Sequence, residues 1–187
     1  MSQVPNRANA RTLMEAHIDS PALRNHCKAV AATMAFVARQ KGEDEEKWSA
    51  IGMVHDLDWE RHPEQHCQKT KEFLEEAAWP EEYVRAVLSH GWQICTDVEP
   101  VSQLEKTLYT VDELTGFVTA CALVRPSKSV RDLEVKSVRK KWKSAAFAAG
   151  VDREIIARGT EMLGVELDQL IQTVIDAMRE VADDIGL

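Results

Sequence analysis

Apolar residues recur at helical spacing along almost the whole chain, and strand-like alternation is nearly absent. One such stripe consists of Leu23, Cys27, Val30, Met34 and Val37. Residues spaced three and four apart share one face of a helix, and an apolar face has to be buried against other helices. Glycine and proline fall where these segments would end. The sequence therefore predicts an all-α helical bundle.

Capping signals divide the first half of the chain into four helices. Ser20, which precedes a proline, predicts the start of the first helix, and Gly42 predicts its end. Asp44 predicts the start of a second helix. Pro63 and Pro80 predict the starts of a third and a fourth helix, because proline is favoured in the first turn.

The second half of the chain shows the same kind of signals. Ser102, with a glutamate three residues later, forms a capping box that predicts a long helix, and Pro126 ends it. A basic helix at about 131–143, a helix ending at Gly164 and a last helix at about 166–184 complete the prediction. We find no repeat and no linker, so one domain over residues 1–187 is expected.

Length and composition limit the classes of protein to which the chain can belong. The length of 187 residues suits one compact domain. No apolar run approaches the roughly 20 residues that cross a bilayer, and the polar N-terminus resembles no export signal. We therefore expect a soluble, cytoplasmic protein. The four cysteines lie far apart in the sequence without a CxxC pair, and we expect them to be reduced, half-buried residues.

Charge is unevenly distributed along the chain. The net charge of −8 disfavours binding to nucleic acid or to a membrane surface, since both need broad positive surfaces. Yet eight basic residues and only two acidic ones lie between Arg125 and Lys143. This basic segment is either a solvated helix face or a receiving surface for an anionic substrate.

Metal-ligand residue types recur on successive predicted helices. His26 comes first, the adjacent pair His55 and Asp56 follows, and Asp112 comes last. Each faces inward by its spacing, and a carboxylate on an apolar stripe is costly to bury unless it is paired or bound to metal. Imidazole and carboxylate together suit divalent manganese, iron, cobalt, nickel, zinc or magnesium. The pattern predicts a metal site inside the bundle.

This order of residues resembles the H…HD…D signature of the HD-domain superfamily of metal-dependent phosphohydrolases. The resemblance covers about residues 20–125, with helices 130–187 expected to pack on that part. It implies one ion held by His26, His55, Asp56 and Asp112. Members with two metals carry further histidines between the HD pair and the last aspartate. A second ion would then be held by Asp56, His66 and His90.

Two longer segments resemble a small group of HD proteins described only as predicted hydrolases. They are HDLDWERHPEQH at 55–66 and VDELTGFVTACALVRPSK at 111–128. The chain departs from the HDIG variants, because Leu57-Asp58 stands where Ile-Gly is usual. It also lacks the GYP segment of the HD-GYP group, which disfavours hydrolysis of cyclic-di-GMP.

Several neighbouring residues are candidates for supporting roles. Asp58 follows the HD pair closely and could orient an imidazole or accept a proton, so we include it with Asp56 among the catalytic candidates. Arg125 and Lys128 could clamp a phosphate, and His62 could face the substrate or cap a helix. Glu113 is expected to be a solvated acid.

The resemblance implies hydrolysis of a small phosphoester or nucleotide by a metal-activated water. Two alternatives stay open. The same ligand set resembles HD-type di-iron oxygenases, which use oxygen. An HD scaffold can also bind a nucleotide or a protein partner for regulation without turnover. Association of the chain with itself is possible, but the sequence identifies no interface.

Overall fold

The fold is all-α, as the sequence predicts. The computed structural model describes residues 4–187, and this part of the chain contains nine α-helices, one 3₁₀ helix and no strand. The α-helices are α1 (Arg7–His17), α2 (Pro21–Lys41), α3 (Glu45–Met53), α4 (Gln68–Glu76), α5 (Glu81–Ser89), α6 (Gln103–Leu123), α7 (Val135–Trp142), α8 (Arg153–Leu163) and α9 (Leu167–Glu180). The 3₁₀ helix is Pro63–Gln65.

Most helix ends lie at the capping residues that the sequence indicates. The Ser20 side chain accepts a hydrogen bond at the start of α2, and Gly42 ends this helix in the left-handed conformation at φ 71°. Asp44 caps α3, and the capping box at Ser102 opens α6. Pro80 immediately precedes α5.

Two expectations about the helices are wrong or incomplete. The third α-helix does not start at Pro63, because Pro63 opens only a 3₁₀ turn that ends at Gln65, and α4 begins at Gln68. Cys67 lies between them at a φ of +67°, a conformation that interrupts helical hydrogen bonding. Helix α1 was not anticipated from the sequence, although Asn6 and Asn9 form a reciprocal cap at its start.

The longest helices, α2 and α6, form the centre of the bundle. Helix α3 packs mainly on α2, and α5 packs on α6. The C-terminal helices close the core, since α8 packs on α6 and α9 packs on both α2 and α6. Among the described residues, no helix combines the length and the apolar character needed to cross a membrane.

The close approach of α2 and α3 depends on Gly52. A Cβ atom at this position would lie 3.0 Å from the Cα atom of Ala31 in α2. A larger residue here would force the two backbones apart by a few tenths of an ångström. The buried segment from Val54 to Asp58 follows directly, so this packing places its polar residues beside α2.

Candidate metal centre

Three side chains from three parts of the bundle meet at one point. His26 comes from α2, His55 follows α3, and Asp112 comes from α6. The Nε2 atoms of the two histidines are 3.3 Å apart, and they lie 2.9 Å and 3.2 Å from Asp112 Oδ1. The predicted inward faces of these helices are thus brought together.

Asp56 lies between this group and a second one. Its Oδ2 atom is 3.5 Å from Nε2 of His55 and 3.8 Å from Nε2 of His26. Its Oδ1 atom is 3.7 Å from Nε2 of His66 and 3.6 Å from Nε2 of His90. Each oxygen of one carboxylate therefore faces a different pair of imidazoles.

The second group is built from two chain turns rather than from helix interiors. His66 follows the 3₁₀ helix, and His90 immediately follows α5 as its C-terminal cap. Their Nε2 atoms are 3.2 Å apart. The thiol of Cys67 lies close by, with potential ligand atoms of all three residues within 4.8 Å of one another.

Hydrogen bonds on the far side of three imidazole rings fix their tautomers. The Nδ1 atom of His55 donates to the carbonyl of Gly52 at 2.8 Å, and Nδ1 of His90 donates to the carbonyl three residues before it. Nδ1 of His66 donates to Asp58 Oδ1 at 2.7 Å. Because Nδ1 carries the proton in each ring, each neutral ring presents an Nε2 lone pair to the cluster.

These donor atoms fit divalent cations. Metal–ligand bonds of about 2.1 Å place neighbouring ligand atoms about 3.0 to 3.4 Å apart, close to the spacings within the two groups. Lone pairs and carboxylates that face each other without protons repel, and a cation between them removes that repulsion. The described residues therefore form buried His/Asp clusters that could hold metal ions.

The charges of the cluster are strongly coupled. Burial opposes ionisation of Asp56 and Asp112, but the surrounding imidazoles, His55 foremost, hold the pKa of both carboxyl groups below the usual range. Burial also opposes the charged form of His55, yet the two aspartates raise its pKa above the ordinary value. The cluster thus favours ionised carboxylates that attract positive charge.

An open cleft gives access to the cluster. Besides the ligand candidates it is lined by Trp59, Ile94, Glu113 and Val151, together with two glycines. Trp59 and Ile94 are 51% and 61% exposed, although both are large apolar residues. Apolar surface around a polar floor is typical of a small-molecule site. That Trp59, Ile94 and Val151 border one cleft is not predicted by the sequence.

Glu113 is not the solvated acid that the sequence suggested. It lines the cleft beside Asp112, and its Oε2 atom accepts a hydrogen bond from the backbone N–H of Asp152 at 3.0 Å. Burial, and next the charge of Asp112, raise the pKa of Glu113 to about 7. Its carboxyl group can hold or release a proton near neutral pH.

The predicted phosphate clamp lies away from the cleft. Arg125 donates two hydrogen bonds to Asp132, at 3.1 and 2.8 Å, and Lys128 is exposed in a turn. At a helical rise of about 1.5 Å per residue, Arg125 is roughly 20 Å beyond Asp112. Neither residue lines the cleft, and in the described part of the chain no lysine or arginine does.

His62 also lies outside the cleft. Its ring is 6.1 Å from that of Phe73, which stacks on His17 at 4.1 Å. His62 precedes the 3₁₀ helix but makes no side-chain cap. Its ring packs in a different aromatic cluster, so it does not line the cleft at the candidate metal centre.

Asp58 lies behind His66 rather than in the cleft. Its side chain is fully buried, and its Oδ2 atom accepts a hydrogen bond from the backbone N–H of Thr70 at 2.8 Å. With Oδ1 bonded to His66, both oxygens are engaged within the protein. Of the two roles considered for Asp58, this placement suits the orientation of an imidazole, because Asp58 does not line the cleft.

No protein-family model, curated protein or solved structure matches this chain.

Proposed function

We propose that the protein is a metal-dependent phosphohydrolase of the HD kind, acting on a small phosphoester or nucleotide. The observation that carries this proposal is the position of Asp56, whose two oxygens face two separate groups of ligand atoms. A carboxylate in that position can bridge two cations. Pairs of divalent ions about 3.5 to 4 Å apart are a recurrent means of hydrolysing phosphate esters.

Bound divalent ions would lower the pKa of a coordinated water and neutralise charge on the phosphoryl oxygens. The protein's own part is to hold the ligands in place. His26, His55 and Asp112 would bind one ion, and His66 and His90 would bind the other, with Asp56 shared between them. Asp58 would keep the His66 ring in the orientation and tautomer that binding needs.

The cleft indicates which part of a substrate it would contact. Trp59 stands edge-on to His66, with ring centroids 4.9 Å apart, and its exposed remainder faces the cleft with Ile94. A flat or apolar group on the substrate would pack on these side chains while the phosphate faces the ions. Glu113 could exchange a proton with a group at the cleft wall.

A second candidate is an HD-type oxygenase with two iron ions. The observation in its favour is that no basic side chain from the described residues lines the cleft, although an anionic substrate would benefit from one. An apolar substrate without phosphate would fit Trp59 and Ile94 equally well. The ligand set serves both chemistries.

The test is turnover of a broad phosphoester panel by the protein loaded with manganese, cobalt or iron. The hydrolase proposal predicts metal-dependent release of phosphate, which Asp56→Ala abolishes and the exposed control Asp97→Asn leaves unchanged. No hydrolysis with any metal would refute it. Iron bound as purified, with a mixed-valence electron paramagnetic resonance signal, would then favour the oxygenase.

A binding protein without turnover is the remaining alternative. It predicts that a nucleotide binds tightly to the loaded protein and is recovered unchanged. Loss of measured turnover in Asp56→Ala would argue against that alternative.

A further inference from the structure

Two cysteines that are distant in the sequence meet beside the candidate metal centre. Cys67 and Cys95 are 28 positions apart, yet their Sγ atoms are 2.9 Å apart. Cys67 is fully buried, whereas Cys95 is partly exposed. The other two cysteines, Cys27 and Cys121, are buried. The spacing of the four cysteines along the chain predicts no pairing among them.

The backbone at Gly91 lies directly against the two sulfur atoms. A Cβ atom on Gly91 would lie 2.4 Å from the sulfur of Cys95 and 2.6 Å from that of Cys67. Real Cβ atoms do not approach sulfur so closely, so any other residue at position 91 would displace the thiols. The absence of a side chain at Gly91 thus allows the two sulfurs to meet.

Each cysteine belongs to a segment that carries a candidate metal ligand. Cys67 directly follows His66. Cys95 lies in the tight turn after His90, where its backbone N–H donates to the carbonyl of Gly91 at 2.9 Å. The sulfur contact is therefore a direct link between the two turns that supply the second group of ligand atoms.

We propose that Cys67 and Cys95 form a reversible dithiol–disulfide pair, oxidised by hydrogen peroxide and reduced again by thiols. The partly exposed Cys95 sulfur attacks the peroxide O–O bond, which gives a sulfenic acid and one water. The Cys67 sulfur then attacks the Cys95 sulfur, and the S–S bond forms as a second water leaves. The two thiols lose two electrons in total, and one peroxide is reduced to two waters.

The required movement is small. A disulfide has an S–S bond of about 2.05 Å, so the sulfurs must approach each other by less than about 1 Å. In a reducing compartment, disulfides between such thiols usually form transiently and serve redox sensing or catalysis, rather than persisting as structural bonds. The bond would tie the His66 and His90 turns together covalently. The pair would form whichever reaction the metal centre performs.

The test is thiol counting and disulfide mapping on the full-length protein, freed of metal with a chelator and treated with hydrogen peroxide. We expect two of the four thiols to become inaccessible to alkylation, with a mass loss of two hydrogens. Mapping should find a peptide in which Cys67 is joined to Cys95. Dithiothreitol should restore all four thiols.

Variants separate this pair from general oxidation. Cys95→Ser should form no intramolecular disulfide, whereas Cys121→Ser should still form the Cys67–Cys95 bond. In urea, the oxidised wild type should unfold at a higher concentration than the reduced form, because the cross-link restricts the unfolded chain. Peroxide treatment that leaves Cys67 and Cys95 unlinked in the wild type, or that links other cysteines equally fast, would overturn the proposal.

Discussion

The carboxylate of Asp58 accepts a hydrogen bond of 2.7 Å from Nδ1–H of His66 in a fully buried position. Its other oxygen is bonded to the backbone N–H of Thr70 in the first turn of α4. The Asp58 carboxylate therefore orients the His66 ring from the side opposite Nε2. The same carboxylate is held in place by the first turn of α4. In metal sites, such partners set the tautomer and the basicity of the ligand.

Replacement of Asp58 by asparagine should weaken one metal position selectively. The asparagine NH₂ group would meet the N–H of Thr70 as a second donor, which disturbs the support of His66. We expect about 10- to 100-fold weaker binding of one ion and little change in the other. Titration of metal against a competing chelator measures this, with Asp97→Asn as the exposed control. Two ions bound with wild-type affinity would contradict the role assigned to Asp58.

Substitution of Gly52 by alanine should separate α3 from α2. The new Cβ atom would lie 3.0 Å from the Cα atom of Ala31, and backbone cannot yield as a flexible side chain can. We expect a loss of about 1 to 3 kcal/mol in the free energy of unfolding, measured with urea. Because His55 follows this helix, metal binding should weaken as well.

The matched control for that variant is Gly150→Ala. A Cβ atom at Gly150 would meet nothing within 4 Å. Its free energy of unfolding should stay within about 0.5 kcal/mol of the wild-type value. Equal effects of the two substitutions would argue against the tight α2–α3 contact.

Stability of the metal-free protein should fall as the pH rises above neutrality. Burial of His55, His66 and His90 disfavours their charged forms, but nearby carboxylates outweigh it and raise the pKa of each. A histidine whose pKa is higher in the folded state than in the unfolded state stabilises the fold when it is protonated. This stabilisation is complete below a pH of about 6.5, the pKa of histidine in the unfolded chain, and it is lost as the pH rises through the pKa of the folded state. Urea unfolding with a chelator at about pH 6 and about pH 8 should show the loss.

In the metal-loaded protein, stability should instead rise with pH. Cations displace the imidazole protons, so they bind more tightly as the pH rises. The drop in metal-free stability between the two pH values should be smaller in His90→Gln, which lacks one of the three groups. A metal-free protein that is equally stable or more stable at the higher pH would contradict the coupling of imidazoles and carboxylates.

Glu113 should destabilise the metal-free fold when it is ionised. Its pKa of about 7 exceeds the ordinary value of 4.5, so the folded state loses stability as the pH rises from the lower value through the higher one. Glu113→Gln removes this loss. Allowing for solvent contact, we expect the variant to be about 2 kcal/mol more stable than the wild type at about pH 8 and nearly equal at about pH 4. Equal stability at both pH values would mean that the carboxyl group is well solvated.

Residues on regular helices were predicted well from the sequence. His26 and Asp112 lie on the inward faces of α2 and α6, because helical periodicity determines which residues share a face. The capping signals at Ser20 and Ser102 gave the starts of these same helices. That His66 and His90 approach Asp56 was implied only by the resemblance to a family, since both lie in turns.

The remaining parts of the site depend on contacts between distant segments. Nothing in the local pattern shows that Cys67 meets Cys95, or that Trp59 and Ile94 border the same cleft. Arg125 was a candidate because it follows the helix that carries Asp112. That helix continues to Leu123, so Arg125 lies far from the cleft. Its partner Asp132 lies only seven residues further on, and a local ion pair of this kind competes with a functional role.

The central claim is that Asp56 joins two metal positions, and counting metal per chain tests it most directly. Elemental analysis of the purified wild type, after loading with manganese, cobalt or iron and removal of free metal, should find two ions per chain. Asp56→Ala should lose both ions, and His90→Ala should lose one. A single ion unaffected by His90→Ala would reduce His66 and His90 to other roles, and a wild type that binds no metal under any loading would contradict the claim.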